Sequence, residues 1–113
     1  MRRRPIFAAI LAAGVLLGAA GPARCADETY TLTIKGRQFE PAEIRIPAGK
    51  KISLTVKNLD AVPSEFESTD LNREKVVGGG SSITVFIGPL RPGSYEFFDD
   101  FNPDAVHGHI VAQ

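Results

Sequence analysis

An all-β fold, one small Greek-key β-sandwich of about seven strands, is predicted by three features of this chain. Apolar and polar residues alternate with a period of two in several short runs, Gly- and Pro-rich turn signals separate those runs, and no ten-residue segment carries a helical period. Strands of this length, so closely spaced and without crossover helices, bury their apolar faces by packing one sheet on another.

The elements can be justified in order. Residues 1–26 read as a secretory signal: "MRRRP" supplies positive charge, "IFAAILAAGVLLGAA" an apolar core of about fifteen residues, and "GPARCA" small residues suited to cleavage. That apolar run is short for a membrane span, so the expected product is a domain over 27–113, exported to the periplasm and not integral to the membrane. In "TYTLTIK", Tyr30, Leu32 and Ile34 share a face; "EIRIP" repeats the pattern with Ile44 and Ile46, and "KISLTVKN" with Ile52, Leu54 and Val56. A strand through Glu65, Phe66 and Glu67 follows, then "ITVFIG", "GSYEFF" and "HIVA". Pro47 to Gly49, the glycines at 78 to 80 and "GPLRPGSY" mark turns. "STDLNREKVV" is expected to hold one short helical turn.

Charge narrows the function. Removal of residues 1–26 takes four arginines and no acid, leaving nine cations against thirteen anions, a net charge of about −4. Asp60 to Asp104 holds nine acids against three cations. A surface of this sign repels nucleic acid and attracts cations. Cys25 is the single cysteine and leaves with the signal, or stands at its edge, so thiolate chemistry is excluded from the folded domain.

Candidate cation ligands gather late in the chain. Glu65 and Glu67 flank Phe66, so both face one side while the ring faces the core. "YEFFDDFNPDAVHGHIVAQ" places Asp99, Asp100, His107 and His109 between two apolar strands. Clustered carboxylates repel one another and raise each other's pKa unless a cation compensates. Oxygen donors with one or two imidazoles suit Fe, Mn or Zn better than Cu(I). Asp100 is expected to cap the turn and support the ligands, His109 to occupy a strand face, and Glu74 to reach over from its loop as a weaker candidate.

Several segments in order resemble the cupredoxins: "FEPAEIRIPAGKKISLTVKN", "PLRPGSYEFF" and the closing "GHIVAQ". Blue-copper members bind copper through His, Cys, His and Met. Along that resemblance Asp99 stands at the Cys position, Asn102 at the second His position, and Ser64 near the first. The resemblance therefore implies the fold and excludes a blue-copper electron carrier. The run "NLDAVPSEFESTDLNREKVVGGGSS" with "FFDDF" resembles cupredoxin-like periplasmic proteins of Ftr- and Efe-type ferrous-iron uptake systems. That resemblance implies iron as the bound metal, with copper as a second, and an iron permease and other periplasmic uptake components as partners. The implied role is to bind Fe(II) and deliver it, or help oxidise it, with turnover needing a partner. The metal set expected on these grounds is Glu65, Glu67, Asp99, Asp100 and His107, with His109 and Glu74 weaker. A metal-free interaction module and a copper-handling protein are the alternatives.

Overall fold

The computed structural model describes residues 28–113, so the expected signal lies outside the described residues. Nine strands follow in chain order: β1 (Glu28–Lys35), β2 (Gln38–Glu40), β3 (Glu43–Ile46), β4 (Ile52–Asn58), β5 (Ser64–Ser68), β6 (Arg73–Val77), β7 (Ser82–Ile87), β8 (Gly93–Phe97) and β9 (Gly108–Ala112). One sheet has the order β2-β1-β4-β7, a second β3-β9-β8, and β5-β6 is a separate hairpin. The β1–β4 and β3–β9 pairs are parallel and the others antiparallel.

The alternating runs sit as their period requires. Leu32, Ile34, Ile52, Leu54, Val56, Val85 and Ile87 from the first sheet meet Ile44, Ile46, Phe97, Ile110 and Ala112 from the second in one buried cluster. Two strands lie beyond the expected seven. β2 has three residues, too few to show a period, and β6 reads "REKVV", with only Val77 buried. The segment expected to hold a helical turn instead makes a turn at 69–72 and enters β6, because Arg73 to Val77 pair with Ser68 to Ser64.

The β5–β6 hairpin is locked onto the end of β8. Phe66 and Phe97 pack with ring centroids 5.2 Å apart, and Phe39 meets Phe97 edge-on at 5.0 Å. Glu67 and Phe98 exchange backbone hydrogen bonds of 2.9 and 2.8 Å. The Ser68 hydroxyl donates to the Glu96 carbonyl at 2.6 Å, and Asp70 accepts the Glu96 N–H at 2.9 Å. Asn58, buried at the end of β4, sets the approach to β5: its amide donates to the carbonyls of Val62 and Val77, and its oxygen accepts the Asp60 N–H.

Phe97 is fully buried where these units meet. Phe97→Ala is therefore expected to cost about 3–5 kcal/mol, by the transfer and cavity terms together, read as a lower urea midpoint at constant slope.

Candidate metal centre

β5 carries Glu65 and Glu67 on the face opposite Phe66, and the loop after β8 brings Asp100 to them. One carboxylate oxygen from each of Glu65, Glu67 and Asp100 lies within 4.8 Å of the others. Glu74 stands across the hairpin from Glu67 in register, and its carboxyl hydrogen-bonds that of Glu65. Four carboxyl groups thus share one end of the sandwich. A shallow pocket of Ser68, Thr69, Asn72 and Arg73 opens beside Glu67 and Glu74.

Burial and repulsion set the protonation of this group. Glu65 is 3% exposed, and its carboxyl is pushed up to about 7, first by burial, then by the hydrogen bond to Glu74 and the charges of Glu74, Glu67 and Asp100. Glu67 is raised by burial and by the charges of Asp100 and Glu74. One oxygen of Glu67 is buried with no hydrogen-bond partner among the described residues. Among the described residues no lysine or arginine forms a salt bridge to any of the four. Arg73 is adjacent in sequence, yet its guanidinium donates to the carbonyls of Phe86, Leu71 and Asn72.

The two aspartates exchange the roles expected of them. Asp99 is the turn residue: buried, its Oδ1 accepts the N–H groups of Glu65 and Phe101, both at 2.9 Å. Asp100, the expected cap, points to the glutamates. Adjacent residues diverge, and the one that turns inward at the end of β8 meets the backbone of β5 before it can meet a carboxylate.

His107 and His109 are not in this group either. His107 Nδ1 lies 3.1 Å from one oxygen of Glu96, and His109 Nε2 lies 3.8 Å from the other. The ring of His107 also stacks on Phe98, with centroids 5.3 Å apart. Glu96 was absent from the expected ligands because "SYEFF" reads as an ordinary strand. What places it by the histidines is the β8–β9 register, Glu96 opposite His109, which no local motif signals.

Copper-thiolate ligation is the chemistry this type of sandwich invites, and the donor set does not fit it. The position expected to correspond to the cysteine is a carboxylate engaged with two backbone N–H groups, and the described residues include no cysteine or methionine. An all-oxygen cluster of this kind suits hard or borderline divalent cations.

Fold and site together define a small cupredoxin-type sandwich with a cluster of carboxylates at one end. The cupredoxin-like domain family model matches residues 7–112, and the chain belongs to that family. It is 44% identical over 80 residues to the uncharacterized protein RP394 of Rickettsia prowazekii, a match covering 71% of this chain and 64% of that protein. Amicyanin from Paracoccus versutus superposes with a TM-score of 0.61 at 17% identity, over 78% of this chain and 83% of its own. The metal-binding domain of the Cu(I)-exporting P-type ATPase CopA of Streptococcus pneumoniae D39, solved with Cu(I), gives 0.64 at 14%, over 75% and 84%. A purple cupredoxin from Nitrosopumilus maritimus gives 0.57 at 19%, over 74% and 98%. These structural likenesses establish the fold.

Two outcomes are expected. Because the Glu65 pKa is higher folded than unfolded, the folded state binds more protons between about pH 4.5 and 7. Metal-free stability therefore falls as pH rises through that window, and Glu65→Gln flattens the fall in thermal melts run with chelator. Asp99→Ala strands two backbone donors, one of them from a buried residue, and is expected to cost about 1.5–3 kcal/mol; Asp99→Asn, which keeps the accepting oxygen, costs less in the same denaturation assay.

Proposed function

We propose that this protein is an exported metal-handling module that binds a divalent cation, Fe(II) in the first place, through Glu65, Glu67 and Asp100 with Glu74 beside them. The observation that carries this reading is the convergence of four carboxyls around a buried Glu65, with a buried Glu67 oxygen that finds no partner, and no lysine or arginine in salt-bridge contact, among the described residues. Such a group is strained by its own charge, and a divalent ion relieves the repulsion and fills the unpartnered site.

The module's own residues have limited tasks. The carboxylates bind and orient the ion, and Glu65 releases a proton as it does so. Asp99 holds the backbone of β5 against the last loop, and Phe66 and Phe97 keep that junction dry from below. Iron bound here by hard oxygen ligands is favoured in its ferric form, which fits a step that holds Fe(II), or aids its loss of one electron to a partner redox protein or oxygen, before an iron permease takes it. The resemblance to Ftr- and Efe-type proteins supports the iron, the periplasmic setting and the permease partner.

Copper handling is a second reading, favoured by structural neighbours such as the Cu(I)-loaded CopA domain. It is narrowed here to Cu(II), since Cu(I) prefers sulfur donors.

Anaerobic calorimetric titration separates these readings. The expected result is one equivalent of Fe(II) at the carboxylates, with Mn(II) competing for the same site. Affinity should rise with pH through about 7 as Glu65 gives up its proton. Glu67→Gln should weaken binding at least about tenfold, and metal should raise the melting temperature of the parent protein but not of the variant. Absence of binding below millimolar Fe(II), or a melting temperature indifferent to metal, would overturn the proposal. Tight Cu(II) binding that displaces Fe(II) would favour the copper reading.

A further inference from the structure

The pairing of Glu96 with both histidines is not used by the carboxylate cluster. Glu96 on β8 lies directly opposite His109 on β9, and its two oxygens are shared between His107 at 3.1 Å and His109 at 3.8 Å. All three side chains stand on the outer face, 40–46% exposed. The residue between the histidines is Gly108, where an added Cβ would fall inside the ring of Phe97. The backbone is thus pressed inward at Gly108, and His107 and His109 are both left on the side of Glu96. Stacking on Phe98 fixes the plane of His107, and the backbone of Glu96 is held at both its N–H and its carbonyl by Asp70 and Ser68.

We propose that Glu96, His107 and His109 form a second metal site, for a borderline divalent cation such as Cu(II) or Zn(II), on the outer face of β8 and β9. Two imidazole nitrogens and a carboxylate suit such ions better than the all-oxygen cluster does. Donors bound to one ion at about 2.0–2.1 Å stand roughly 2.9–3.4 Å apart. The His107–Glu96 separation already falls in that range, and the His109–Glu96 separation is a little wider. The imidazoles presently flank opposite oxygens of the carboxylate, so the site closes on the fixed His107 ring by rotation of the Glu96 and His109 side chains, which their exposure leaves free. Phe98 touches both groups: its ring packs on His107, and its backbone is bonded to Glu67. The protein would thereby hold two ions of different hardness at neighbouring sites.

Cu(II) titration of the chelator-treated protein, followed by electron paramagnetic resonance, tests this. The expected result is a Cu(II) signal with splitting from two nitrogens. His107→Ala and His109→Ala should each remove that pattern, and Glu96→Gln should weaken binding at least about tenfold. Glu65→Gln with Glu67→Gln should leave the pattern in place, and Mn(II) binding at the carboxylates should survive the histidine substitutions. A second measurement needs no variant: Zn(II) should protect His107 and His109 of the parent protein from diethyl pyrocarbonate. A two-nitrogen signal that persists without both histidines, one lost with Glu65 and Glu67, or unprotected histidines at saturating Zn(II) would each overturn the assignment.

Discussion

The junction between the β5–β6 hairpin and the end of β8 is the constraint on which the rest of this structure depends. Two backbone hydrogen bonds between Glu67 and Phe98, and the Asp99 carboxylate on the Glu65 N–H, tie segments more than thirty residues apart. Phe66 and Phe97 close the same junction on its core side. Without this tie the carboxylates of β5 and of the last loop would separate, since their charges repel. The fold supplies the force that holds them together, and the apolar burial beneath supplies the fold.

That arrangement has an electrostatic consequence. Charged groups in protein interiors are normally paired, yet among the described residues no lysine or arginine forms a salt bridge to this cluster, and Arg73 is turned onto backbone carbonyls. The protein responds in the way available to it without an ion, with Glu65 keeping its proton into the neutral range and sharing a hydrogen bond with Glu74. The sandwich can carry such a cluster because its strands need only their inward apolar residues and leave the outer ends free to vary.

Asp99 shows how one position can keep its location and change its task. It stands where the resemblance places a ligand, at the end of the strand entering the last loop, and it is still buried there. Its oxygen now does the work of a hydrogen-bond acceptor for the turn and for β5. The next residue, Asp100, is the one whose carboxyl meets Glu65 and Glu67.

Much of this was legible in the sequence for a simple reason: period-two alternation is a local property, and it located the long strands, the core residues and the shared face of Glu65 and Glu67 directly. The acidic bias of the second half and the lack of a thiol likewise restricted the chemistry without reference to shape. β2 and β6 escaped because three residues show no period and a charged edge carries none. Strand register and the path of the last loop were decided only by tertiary structure, since they follow from contacts between distant segments. They sent Asp99 inward and Asp100 to the glutamates, brought Glu74 beside Glu65, and drew His107 and His109 away to Glu96. The sequence determined which groups were available, and packing determined which of them meet.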